Sequence, residues 1–452
     1  MLIMYELSYE GLTGEIITRY DCEYEEARQE WNRAIQKFPL AIIYCFTKWD
    51  VSNAIIWARK NEIAIRIRSG GHHYEGYSVG NNVLVIDISK MNCMQLNEHK
   101  NTLVIQGGAQ NKQIYDFISS KGYPFPGGTC PTVGVSGYTL GGGWGYSSRY
   151  FGLGCDNLIE LELIDYKGKV ITANETCHKD LFWACRGAGG GNFGIVVSLT
   201  FKLPPIVDKV TFVELYWPNA SVDIQKEFLH TWQSWLVNLN SKMTIGASIY
   251  NSAVEGLAIY GRGLYYGTPE DAAFILQDLL NINGVKMNLQ YISFLEAMAI
   301  VESSYPSSEQ FKSIGRFVHK QYNEEEIEKI ISLIEDRASG SIFAAISLYP
   351  LGGKIQDVGK DASAFYYRDA HYILGIQTIW EDPIVKKDNS QWLESRFDYI
   401  ESITEGSFIN FPYSDLKDYM NAYYGTHANK LRKISKKYDP LCVFTFPQGI
   451  KN

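Results

Sequence analysis

Between about residues 20 and 205, apolar positions switch repeatedly between a helical spacing and a two-residue alternation. Ala27, Trp31, Ala34, Ile35 and Phe38 recur at turn spacing and predict a helix over 27–38. Val51, Ile55, Ile56 and Ala58 predict a second over 50–60. Short β-branched runs at 41–44, 63–68, 83–87, 102–106, 158–166 and 195–201 read as strands. The last run closes on Leu203-Pro204-Pro205, and that Pro-Pro step marks a domain boundary.

Beyond it the texture changes. Long amphipathic segments at 223–239, 269–280 and 323–336 predict helices, and strand-like stretches occur at 244–249, 257–260, 341–349 and 372–380. This is the pattern of an α+β domain built on one large sheet. The tail from residue 421 carries one helical segment and the apolar run Cys442-Val443-Phe444-Thr445-Phe446. The organisation expected is therefore 1–205, 206–420, and a C-terminal segment, 421–452, that returns to the first unit.

Composition narrows the function classes. At 452 residues and 46% hydrophobic, the chain can bury two or three real cores. Its 42 Lys+Arg against 50 Asp+Glu leave a net charge of −8, which repels a phosphate backbone and argues against a nucleic-acid partner. No apolar run approaches the roughly 18 residues of a membrane span. The opening Met1–Leu7 meets Glu6 too early for an export signal, so a cytoplasmic location is expected. Eight cysteines without a C-x-x-C pair read as reduced thiols.

Glycine carries the chemical signal. Eleven of the forty glycines fall between Gly122 and Gly154, interleaved with Trp144, Tyr146, Tyr150 and Phe151. Glycine among aromatics is a packed segment whose backbone approaches something closely or needs positive φ. Gly189-Gly190-Gly191-Asn192-Phe193-Gly194 fits G-x-G-x-x-G on paper, but a β-branched run follows where a dinucleotide fingerprint requires a helix. Arg68-Ser69-Gly70-Gly71-His72-His73-Tyr74 follows a strand and presents an imidazole from a tight turn, or is a surface turn with incidental histidines. Adjacent histidines point apart, so no metal site is expected from them. Cys130, framed by Gly127-Gly128 and Pro131, is either a nucleophilic thiol or an inert small residue.

Together these segments resemble one family, the berberine bridge enzyme-like oxidases of the vanillyl-alcohol oxidase superfamily. The match includes Arg68-Ser69-Gly70-Gly71-His72, Gly127-Gly128-Thr129-Cys130-Pro131-Thr132-Val133-Gly134 and Gly141-Gly142-Gly143. It continues through Tyr150-Phe151-Gly152-Leu153, Asp180-Leu181-Phe182-Trp183 and Asn192-Phe193-Gly194-Ile195 to Tyr423-Tyr424-Gly425 and Phe446-Pro447-Gln448. The resemblance implies an α+β fold: a two-part PCMH-type FAD-binding domain of two small α/β subdomains, and a substrate domain with a large antiparallel sheet backed by helices. It implies FAD attached at its 8α-methyl by His72 and at C6 by Cys130. Around the cofactor it places Arg68, Ser69, Gly70, Gly71, His73, Ser78, Val133, Gly134, Gly137, Gly141, Gly142, Gly145, Asn192, Gly194, Ile195, Tyr424 and Gln448.

The reaction implied is hydride abstraction from an alcohol, sugar or secondary-metabolite substrate, with dioxygen as acceptor and hydrogen peroxide as product. Tyr74, two residues past His72, corresponds to a substrate-contacting tyrosine in some relatives. The late catalytic tyrosine of many relatives aligns with Phe411, and the sheet acid of plant members is missing from 372–377. Tyr413, Gln377 and His371 are the polar candidates nearby, and Tyr74, Tyr413 and Gln377 are the catalytic set. The alternatives are a flavin-carrying protein with little turnover, or a dehydrogenase using another acceptor.

Overall fold

The computed structural model describes residues 8–450, so the reading of 1–7 as no export signal lies outside the described residues. Three sheets organise the chain. The first runs Glu15–Thr18, Ala41–Tyr44, Leu84–Asp87, Ile65–Arg68. Its last three strands are parallel, and the central Leu84–Asp87 is buried throughout, as expected of a strand covered on both faces. The helix Lys48–Lys60 packs beside it, started by Thr47, whose hydroxyl accepts from the Asp50 N–H in a capping box.

The second sheet has five antiparallel strands, Met94–Asn97, Thr102–Gln106, Ile195–Lys202, Leu158–Ile164 and Val170–Asn174. The third has eight, in the order Lys286–Ile292, Val210–Trp217, Gly256–Tyr265, Met243–Ser252, Ser341–Pro350, Tyr372–Trp380, Gln310–Val318, Glu405–Ser407. All its pairings are antiparallel.

Helices Val222–Val237, Glu324–Glu335 and Lys386–Ser402 cover one face of this large sheet, burying Trp232, Phe228, Ile330, Ile331 and Leu393 in its core. Thr378 shows the alternation: its hydroxyl points to that side and reaches Asn389 on the last helix at 2.6 Å. Its neighbour Gln377 points the other way, into a cavity. Fold class and the large helix-backed sheet therefore match the sequence expectation.

Two expected elements differ. Helix 27–38 is only Tyr24–Ala27. Beyond it, Asn32 donates to the Phe311 carbonyl at 3.0 Å, Arg33 N–H donates to Glu309 O at 2.7 Å, and the Trp31 ring stacks on His72. Tertiary partners, on the glycine loop and at the start of a large-sheet strand, take the backbone that local spacing assigned to a helix. The expected 269–280 helix is two pieces, Pro269–Ile275 and Gln277–Leu280, divided at Leu276.

Candidate active site

A cavity of about 840 Å³ lies between the glycine-rich loops of the first half and the bare face of the large sheet. That is at the upper end of the range for small-molecule and cofactor sites. Its floor begins where the strand Ile65–Arg68 ends. Arg68 stands opposite Asp87 in parallel register, and the two buried side chains form an ion pair that pins the strand end. Gly71, at φ +69°, then turns the chain. A Cβ on Gly70 would collide with the Gly134 backbone nitrogen and stand 2.8 Å from Thr132 O. The two glycine loops thus touch backbone to backbone, which is why neither tolerates a side chain there.

That contact brings His72 and Cys130 to one wall. The Thr132 hydroxyl lies 2.7 Å from His72 Nε2 and 3.8 Å from Cys130 Sγ. Burial lowers His72 to about 4, so its imidazole is neutral. Burial, reinforced by the charge of Lys37, takes His73 to about 3. The Cys130 thiol is pushed up by burial, against the opposing pull of hydrogen bonds from Thr132. The thiolate is therefore not preformed in the folded chain. Glu30, fully enclosed, accepts from Ser78 at 2.8 Å through Oε2, while its Oε1 has no partner and burial raises its carboxyl.

Ser69, Gly70, Gly71, His73, Tyr74, Ser78, Val133, Gly134, Gly137, Gly194 and Gln377 also line the cavity. The remaining expected residues stand behind the wall. Arg68 is committed to Asp87. Gly141 packs on Asn410, Gly142 on Phe365, and Gly145 on the Gly127 carbonyl. Asn192 donates to Ala188 O at 3.0 Å and accepts from Ile450 N–H at 2.9 Å, and Tyr424 donates to the same Ala188 carbonyl. Ile195 belongs to a buried core, and Gln448 donates to Tyr413 O at 2.7 Å. These contacts tie the tail to the 188–192 loop. Tyr413 packs on Phe397, under the Lys312 ammonium, and is not among the lining residues.

The cavity also gathers residues that sequence reasoning passed over: Tyr146, Arg262, Tyr305 and Glu309. Phe411 stacks on Tyr74 with ring centroids 5.2 Å apart, so the position aligned with a late tyrosine supplies an apolar wall. Burial alone raises the Glu309 carboxyl, and its charge reaches both Tyr74 and Cys130. Glu309 gave no motif to find. Arg262, a lone cation alternating with Tyr260 in a glycine-bearing strand, did offer a signal.

The glycine wall suits a flat cofactor. Gly137 has nothing within 4 Å of the place a Cβ would occupy, and Gly190 has only the Leu140 side chain at 3.7 Å. Both line the cavity, so open space begins at the backbone itself. Comparison with known proteins agrees. Residues 39–174 match the FAD binding domain family, and 407–451 match the berberine and berberine-like family. The chain is 35% identical over 445 residues to the FAD-linked oxidoreductase YgaK of Bacillus subtilis (strain 168), covering 97% of both chains. It is 26% identical to a carbohydrate oxidase of Microdochium nivale, over 95% of this chain and 91% of the relative. The solved Physcomitrella patens BBE-like 1 superposes with a TM-score of 0.89 at 27% identity, covering 96% of each chain.

Fold and site define an FAD-linked oxidoreductase with a PCMH-type cofactor domain. The chain belongs to the berberine bridge enzyme-like family of these enzymes. Among the described residues, no helix is long and apolar enough to cross a membrane.

Proposed function

We propose that this chain is an oxidase carrying FAD on both His72 and Cys130, and that it removes hydride from a hydroxyl-bearing carbon of an alcohol, sugar or secondary metabolite. The observation that carries the reading is the Thr132 hydroxyl within reach of both side chains on one cavity wall. Relatives named carbohydrate oxidase and tetrahydroberberine oxidase support the substrate range. With this goes a division of labour in which 1–205 and 421–452 hold the cofactor and 206–420 shapes the substrate side.

When bound, FAD would supply the redox chemistry, uptake of the hydride and two-electron reduction of dioxygen to hydrogen peroxide. Every other part falls to the chain. Ser69–Gly71, Val133, Gly134 and Gly137 offer backbone at close range, and the neutral His72 ring keeps a lone pair for bonding to carbon. Glu309, its carboxyl raised above the ordinary glutamate value by burial, accepts the substrate hydroxyl proton. The Tyr74 phenol, kept protonated by burial, donates to substrate oxygen, and the Gln377 amide orients it.

Acid precipitation followed by peptide mass analysis tests the attachment. One flavin-bearing species joining the His72 and Cys130 peptides is expected, and His72→Ala and Cys130→Ala should each leave a single link. A colourless pellet with both peptides unmodified sinks the covalent reading.

A further inference from the structure

Arg262 lies in the middle of the strand Gly256–Tyr265, on the cavity face of the large sheet. Its Nε–H donates to the Tyr146 phenol oxygen at 3.0 Å and its Nη1 to the Ser304 hydroxyl at 2.6 Å. The rings of Tyr260 and Tyr305 flank the guanidinium at 5.9 and 5.5 Å. Among the described residues no carboxylate comes within 4 Å of it, and no main-chain carbonyl accepts from it.

The contrast with the fully buried arginines is sharp. Arg68 is bonded to Asp87, and Arg368 to Asp156 at 2.7 Å. Arg149 donates to the carbonyls of Met243, Leu351 and Leu239. Arg262 even has an acid beside it: Glu214 is its cross-strand partner in register. Yet Glu214 is engaged elsewhere, accepting from Tyr260 at 2.5 Å and from Asn288 at 2.9 Å. A half-buried guanidinium lining a cavity, with neutral partners on one edge and N–H donors left over, is suited to pairing with an anion from outside.

We propose, resting on the oxidase reading above, that Arg262 is a specificity residue that selects substrates carrying a carboxylate in addition to the hydroxyl to be oxidised. A hydroxy acid or sugar acid would place its carboxylate on the remaining N–H donors, bidentate where geometry allows. Arg262 is the only cation lining the sheet face of the cavity among the described residues, and Arg66 lines the opposite wall. A single cation matches a monoanionic carboxylate better than a dianionic phosphate. Gly246, opposite Arg262 on the neighbouring strand, brings no side chain of its own to the site, and the rings of Trp144 and Tyr146 pack within 4 Å of where its Cβ would stand.

The holoprotein is titrated with benzoate and with benzamide, isosteric probes differing in charge, and the flavin visible band is followed. Benzoate should bind at least tenfold more tightly, Arg262→Gln should abolish the difference, and Arg262→Lys should keep part of it. Equal binding of the two probes by the wild-type protein, which needs no variant to fold, overturns the assignment. So does an Arg262→Gln protein that still prefers benzoate. A second arm follows anaerobic bleaching by galacturonate and galactose, alike except for the carboxylate. Faster bleaching by galacturonate is expected, and faster bleaching by galactose counts against the fork. Benzoate preference without bleaching by any hydroxyl compound in a broad panel would retain the anion site and refute the oxidase reading.

Discussion

One hydroxyl, that of Thr132, is shared between an imidazole and a thiol that arrive from two separate glycine loops. Glycine beside histidine or cysteine, taken alone, left an incidental reading open for each loop; both loops were legible through their resemblance to a known family. Glu309 was not: an isolated acid between Ser308 and Gln310 carries no local signal, and only its placement beside the cavity raises its carboxyl. A base works deprotonated, so flavin reduction at saturating substrate should climb with pH as Glu309 titrates above the ordinary glutamate range. Glu309→Gln should lower the rate by about 10²–10⁴-fold and remove that limb of the profile. Stopped-flow reduction across pH checks it; an unchanged profile in the variant assigns the proton elsewhere.

At the level of elements, the two glycine loops separate two uses of the same residue. Gly70 is glycine because the Gly134 backbone lies against it, whereas Gly137 opens on empty space. Gly70→Ala should therefore destabilise the fold, by about 1–3 kcal/mol on the scale of overpacking. Gly137→Leu should leave folding of the cofactor-free chain nearly unchanged while cutting flavin content several-fold. Thermal unfolding and the ratio of visible to ultraviolet absorbance distinguish them; equal loss of stability in both would end the distinction. Strand runs such as Ala41–Tyr44 and Tyr372–Trp380 were readable, since β-branched and apolar runs bounded by polar turns have few other solutions. The segment after Ala27 was misread because Asn32, Arg33 and Trp31 find partners on Phe311, Glu309 and His72, none of them near in sequence.

For the whole molecule, the cavity exists because the large sheet is held over the glycine loops. Trp144 donates to Pro350 O at 2.8 Å, and Arg368 grips Asp156 through two bonds, at 2.7 and 3.1 Å, with both side chains nearly sealed from solvent. Arg368→Met strands a buried carboxylate and should cost about 3–5 kcal/mol, with part recovered when Asp156→Asn is added. Differential scanning calorimetry of the holoprotein measures both; a loss under 1 kcal/mol would show that this tie is dispensable. The chain's own order of apolar and glycine positions determined the α+β class, the helix-backed sheet and the family to which the protein belongs, because those follow from local periodicity and from motifs a few residues long. Which side chains share the cavity was decided only by tertiary structure. Arg262 is left without an acid because Glu214, in register beside it, turns to Tyr260 and Asn288, and such a choice among partners is made by packing in three dimensions.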